Sequence, residues 1–199
     1  MNIALEKLGR FQPGMVSTRK RLSKGEETVR AIDLPSLAQG EVNWDDLSTV
    51  NPKRKLDAYV VRSGDLLIPL RPPLTTVLIS DPPLRSIVVG TVAIFRADPT
   101  RALPEYVAWL FQQPVLQHQA EKNSRGTIVF FPLKELRTMT VPVPTLEIQE
   151  RIARAWRLQQ DMIRLERQRL EHLEAYYRGL NQRIMNTTIT NQTSSQPST

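Results

Sequence analysis

VPVPTLEIQERIARAWRLQQ, Val141–Gln160, opens with two prolines in alternation and then turns into an uninterrupted, highly charged stretch. Proline holds φ near −65° and disfavours helix in the residue before it, so Val141–Pro144 reads as a stiff, extended joint. Beyond it nothing breaks a helix from Glu147 to Met185 except Gly179, which costs about 1 kcal/mol relative to alanine. Those 39 residues would span about 58 Å, whereas a small domain is about 30 Å across. Much of such a helix must extend beyond the domain that carries it, and its apolar side needs another partner.

The apolar side can be read directly. Trp156, Ile163, Leu170, Tyr177 and Ile184 recur every seven residues. Ile152, Leu173 and Leu180 fall at the complementary spacing, where Gln159 and Glu166 are polar interruptions, and Met162 and Tyr176 widen the stripe. This is a heptad seam, in which polar residues weaken packing but fix register and orientation. Two readings fit it: helix pairing, in a dimer or with a partner protein, and a long helix lying along its own domain.

Upstream, short apolar runs alternate with proline. DAYVVRSGDLLIPLR (57–71) reads as strand, turn at Ser63-Gly64-Asp65, strand. TTVLIS (75–80), SIVVGTVAIFRA (86–97) and GTIVFF (126–131) are further strand candidates, rich in β-branched residues. PEYVAWLFQQPVLQHQAEK (104–122) has helical spacing, with Pro104 suited to a first turn and Pro114 to a break, and PLKEL (132–136) is a short helical turn. The expected fold is α+β, a mixed-sheet domain over 1–140 followed by a proline joint and long coiled-coil-forming helix over 141–185. The polar, uncharged residues 186–199 are expected to form a disordered tail.

Composition narrows the function. An apolar content of 40% supports a true core, and no apolar run is long enough to span a membrane. The first ten residues carry charges and lack a long apolar stretch, unlike a signal peptide. With no cysteine there is neither a disulfide framework nor a thiolate metal site, and a cytoplasmic protein is the simplest reading. The net charge is +7, and residues 1–146 hold 19 Lys/Arg against 14 Asp/Glu. A basic domain favours a polyanionic partner.

Catalytic patterns are absent. His118 and His172 have no paired ligand spacing, no glycine-rich nucleotide loop occurs, and Asp45-Asp46 reads as a solvated loop. Asn51-Pro52 runs into lysine and arginine and reads as a basic turn. The basic groups are more informative: Arg19, Lys20, Arg21 and Lys24; Lys53, Arg54 and Lys55; Arg62 and Arg71; Lys122 and Arg125. Each alone could be solvated surface. Together they fit a surface that tracks DNA phosphates, with a few arginines reading bases.

The ordered parts resemble the specificity subunit of type I restriction–modification systems over about residues 1–185. They are Leu8-Gly9, Gly-Asp-Leu-Leu-Ile at 64–68, PEYVAWLFQQ, Gly126-Thr127, PLKEL and the P-x-P-x-L-E-x-Q-x-x-I joint. In this chain the joint is Pro142, Pro144, Leu146, Glu147, Gln149 and Ile152. The resemblance implies a non-catalytic, phage-defence subunit binding double-stranded DNA, one half of a bipartite site per recognition domain. It implies modification (methyltransferase) subunits as partners, carrying S-adenosylmethionine for adenine methylation, and restriction subunits that cleave. It implies no cofactor and no metal on this chain. With one recognition unit and one helix, this chain looks like a half-size form. The expected homodimer uses Ile152, Trp156, Ile163, Leu170, Leu173, Tyr177, Leu180 and Ile184. One departure is Pro72-Pro73 after GDLLIPLR, where many relatives carry a glycine-containing turn. The competing reading is a non-catalytic scaffold or regulator that pairs through its helix with a full-length specificity subunit or a modification subunit.

Overall fold

The computed structural model describes residues 2–16, 29–38, 40–45, 47–50, 56–83, 85–123 and 130–193. Strand β1 (Asn2–Ala4) leads through a 3-10 turn, Leu5–Lys7, into β2 (Gly9–Pro13). Four short strands follow: β3 (Val29–Ile32), β4 (Leu37–Ala38), β5 (Glu41–Val42) and β6 (Ser48–Val50). Next come β7 (Asp65–Pro69), β8 (Val77–Leu78), β9 (Ser86–Val88) and β10 (Val92–Ala97). Helices α1 (Pro104–Phe111), α2 (Pro114–Asn123) and α3 (Leu133–Thr138) precede β11 (Thr140–Pro142) and the long α4 (Leu146–Thr193). The chain has the expected α+β class, with a long C-terminal helix.

Two main sheets organise the domain. One is antiparallel, in the order β2-β10-β7-β8; the other, β6-β3-β9, pairs β3 parallel with β9. Alternate residues on a strand point to opposite faces, and β7 and β10 bury both. Leu66, Ile68, Ala93 and Phe95 pack with Tyr106, Leu110 and Phe111 of α1. Leu67, Val92 and Ile94 pack on the other side with Ile32, Val42 and Val88. This explains the unbroken apolar run at 65–69, which an exposed antiparallel strand would not show. Gly9 sits where β2 meets β10, and a β-carbon there would collide with the Arg96 carbonyl. The Leu-Gly start therefore has a packing cause.

Several expectations change. Residues 57–71 form no hairpin: β7 pairs with β8 and β10, while Val60 makes only an isolated bridge to Ile87. The turn itself stands, with Gly64 at φ +84°. SIVVGTVAIFRA is two strands of different sheets, separated at Gly90, where φ is +69°. Most of GTIVFF lies outside the described residues. Val141 and Pro142 belong to β11, which pairs with β1, so the proline segment is extended but also anchored in a sheet. Helix α4 runs to Thr193, past the expected end at Met185. No glycine or proline interrupts 186–193, and propagation adds one hydrogen bond for each residue fixed.

By its internal contacts the chain divides into two compact units, Met1–Trp156 and Arg157–Thr199. The first three turns of α4 thus belong to the globular unit, whereas the sequence suggested a boundary at 140. Among the described residues no helix is long and apolar enough to cross a membrane.

Candidate nucleic-acid interface

The edge that presents Arg62 is built on an ion pair whose carboxylate is buried and whose arginine is half-buried. Asp65, 3% exposed, accepts hydrogen bonds from Arg96 Nε (2.9 Å) and Nη2 (3.1 Å), and from the Arg62 backbone N–H (2.8 Å). Arg96 also donates to the Val60 carbonyl at 2.6 Å. The Gly64 N–H donates to the Ile79 carbonyl and the Ser63 hydroxyl to that of Ser80. Such a pair adds little net stability, but removing Arg96 leaves the buried Asp65 carboxylate uncompensated, at a cost of up to about 3–5 kcal/mol. It holds the turn while the Arg62 side chain stands exposed.

Strand register defines one end of the β6-β3-β9 sheet. Val29, the first residue of β3, pairs with Val50, the last of β6. Arg19, Lys20, Arg21, Lys24, Lys53, Arg54 and Lys55 lie outside the described residues. The Val61 N–H donates to the Ser86 carbonyl, and Ser86 pairs with Arg30, which brings Arg62 to that same end. Arg30 is exposed there and was missed in the sequence. It sits alone between apolar residues, so no cluster marks it; only its place at the first turn of an alternating strand could have.

Arg71 lies at the other end of β7. The Leu70 N–H donates to the Thr91 carbonyl, and the Phe131 N–H donates to the Leu70 carbonyl. The Pro72–Pro73 bond is cis. Gln117 of α2 accepts from the Leu74 N–H at 2.9 Å and donates to the Leu74 carbonyl at 3.3 Å, tying α2 to this end. Lys122, near the end of α2, is exposed; Arg125 lies outside the described residues. Among the described residues, Arg30 and Arg62 thus form one neighbourhood, and Arg71 at the other end of β7 a second. Among the described residues no three His, Asp or Glu side chains converge to hold a metal ion.

The root of α4 has its own lock. Gln149 is completely buried. Its Oε1 accepts from the Leu103 N–H at 3.0 Å, and its Nε2 donates to the carbonyls of Arg101 (3.1 Å) and Pro144 (3.0 Å). Tyr106 donates its hydroxyl to the Pro142 carbonyl at 2.6 Å, and burial pushes that phenol up to about 12. Trp156 Nε1 donates to Gln112 Oε1 at 3.0 Å. The glutamine of the joint motif is therefore the bolt between the start of α1, the proline segment and α4. Gln149→Leu leaves a buried N–H and two carbonyls without this partner. The expected loss is about 2–4 kcal/mol, read as a lower midpoint in denaturant unfolding.

Trp156 departs from the expected seam. It is 7% exposed and packs in the domain core, with Ile152 against it. The seam residues beyond it are open: Ile163 is 46% exposed, Leu170 59%, Leu173 43% and Tyr177 57%, and Leu180 and Ile184 are exposed as well. Within that segment Arg164 pairs with Asp161 at 2.7 Å and Arg169 with Glu166 at 3.6 Å. Such solvent-facing pairs contribute little to stability; they leave the apolar stripe uncovered.

No family model matches the sequence, and no curated protein matches it. The fold does have solved counterparts. An HsdS subunit from Thermoanaerobacter tengcongensis is similar at a TM-score of 0.62 and 19% identity, over 86% of this chain and 44% of that one. A chain from a structural study of complex assembly and conformational transition in a type I R-M system gives 0.61 and 16%, over 96% and 48%. A type I restriction–modification S subunit from M. genitalium gives 0.51 and 10%, over 78% and 37%. The chain spans less than half the length of each of these. At such identities the likeness is one of fold.

Proposed function

We propose that this chain is a DNA-specificity subunit of a type I restriction–modification system. It binds one half of a bipartite site with its globular unit, pairs through α4 with a second copy, and recruits modification subunits that carry S-adenosylmethionine. Restriction subunits join in systems that cut. The observation that carries this reading is the fold likeness to specificity subunits over most of the chain, long helix included. Arg30 and Arg62, both exposed at one end of the β6-β3-β9 sheet, support a DNA-facing role for that end. The chain itself performs no chemistry in this scheme.

The test is reconstitution. Alone, the protein neither methylates nor cuts DNA; with its modification partner and S-adenosylmethionine it directs adenine methylation to particular sites. Methyl transfer by the isolated chain overturns the assignment. DNA binding is also expected to be steeply salt-dependent, because each neutralised phosphate releases counterions and contributes about 0.9 to the log–log slope. Neutralising Arg19, Lys20 and Arg21 together lowers that slope by up to about 3. An unchanged slope makes the cluster solvated surface. Arg62→Gln and Arg71→Gln, measured separately, show which of the two neighbourhoods touches the backbone.

A further inference from the structure

We infer that Arg62 reads a guanine in the half-site, and that the Asp65–Arg96 ion pair aims it. This rests on the DNA-binding role proposed above and adds a specificity-determining residue with its two positioning residues.

Arg62 differs from the other basic residues in its setting. Arg19, Lys20, Arg21 and Lys24, like Lys53, Arg54 and Lys55, stand in runs that mix lysine with arginine. Such runs suit phosphates, which lysine meets as a point charge as well as arginine does and which carry no sequence information. Arg62 is the single cation of YVVRSG, 59–64. Its side chain is exposed, and among the described residues no hydrogen bond or ion pair holds it.

The backbone beneath that side chain is fixed. The Arg62 N–H donates to Asp65 Oδ2 at 2.8 Å, and the Arg62 carbonyl accepts from the Asp65 N–H at 3.0 Å. One residue earlier the Val61 N–H donates to the Ser86 carbonyl at 2.9 Å. One residue later the Ser63 hydroxyl donates to the Ser80 carbonyl, and after it the Gly64 N–H donates to the Ile79 carbonyl at 2.8 Å. A guanidinium carried on a held backbone is what direct readout needs. Guanine presents O6 and N7 side by side in the major groove, and the planar fork of arginine donates to both. Those two bonds discriminate only when the fork arrives within about 0.5 Å of its place.

Asp65 is 3% exposed, and the rest of its strand, Leu66–Pro69, is buried as well. Apolar residues in place of such an ion pair would serve stability about equally well. What the carboxylate adds is an acceptor, Oδ2, shared by the Arg62 N–H and Arg96 Nη2. Arg96 reaches on to the Val60 carbonyl. One ion pair thus grips the chain at residues 60 and 62, on either side of Val61.

Sequences selected from a random duplex pool by the full chain with its modification partner test this. The wild-type motif is expected to hold a guanine in its half-site. Arg62→Gln is expected to relax that one position, leave the others as they are, and weaken binding to the wild-type site about 10–100-fold. Binding to unrelated duplex, and its salt slope, stay as in the wild type. Asp65→Asn keeps an acceptor for the Arg62 N–H but loses the charge that holds Arg96. It is expected to relax the same position to a smaller degree, and to add nothing there in an Arg62→Gln background. Arg96→Lys replaces it in the comparison should Asp65→Asn not fold. A motif without guanine, or one left unchanged by Arg62→Gln, overturns the inference. So does an Arg62→Gln protein that binds all sequences more weakly with a salt slope lower by about 1, the mark of a phosphate contact. Asp65→Asn weakening every position alike overturns the positioning role. A wild type that selects no sequence removes the DNA-specificity reading itself.

Discussion

Leu170→Asp combined with Leu173→Asp leaves the protein monomeric and its globular unit folded. Both side chains are open in the single chain, at 59% and 43% exposure, so the substitutions cost its fold little. In a helix pair they place four carboxylates in adjoining layers with no cation among them. Leaving a buried charge unpaired costs about 3–5 kcal/mol. Even one such term weakens association roughly 200-fold or more, since each 1.4 kcal/mol is about tenfold. Sedimentation of wild type and variant at tens of micromolar reads the loss, and an unchanged thermal transition confirms that the globular unit is intact. Site-directed methylation with the modification partner falls with the dimer. A wild type already monomeric at that concentration ends the homodimer reading.

Seven residues inserted between Gln159 and Gln160, repeating the seam pattern, should widen the gap between the two half-sites and leave their bases unchanged. Two identical recognition domains related by a two-fold axis read matching half-sites, so the wild-type motif should be bipartite and palindromic. One heptad keeps the seam in phase and lengthens each helix by about 10 Å. If the two helices pair antiparallel, both chains gain that length on the domain side of the pairing. The separation therefore grows by about 21 Å, or about 6 base pairs at about 3.4 Å each. Four residues inserted at the same point break the seven-residue phase and should abolish specific methylation. Methylome sequencing of cells carrying each variant with its modification partner reads all of these outcomes. A non-palindromic wild-type motif means that the chain pairs with a different specificity protein. A gap unmoved by the heptad means that α4 is not the ruler.

What was legible in the sequence is what local chemistry decides. Pro104 and Pro114 mark the starts of α1 and α2, and the break between them falls where Pro114 cannot continue a helix. The seven-residue period and the lack of breakers identify α4, and the prolines before it require an extended entry. Each rests on dihedral limits or on spacing within a few turns, which the chain carries wherever it is placed. Strand partners are different. DAYVV and DLLIP look like two arms of a hairpin, yet β7 takes β10 and β8 as neighbours because both of its faces are buried, by α1 on one side and Ile32 and Val88 on the other. Gln149 likewise looks like one glutamine among many until Leu103, Arg101 and Pro144 surround it.

The clearest division runs along α4 itself. By itself the sequence determined that Ile152, Trp156, Ile163, Leu170, Tyr177 and Ile184 share one face, because helical geometry depends on spacing alone. Only the tertiary structure decided that Ile152 and Trp156 are packed inside their own domain while the stripe from Ile163 onward is open. Periodicity says which residues lie together. What covers them depends on chain far away in sequence: Gln112 from α1's end reaches Trp156, whereas Leu170 stays exposed.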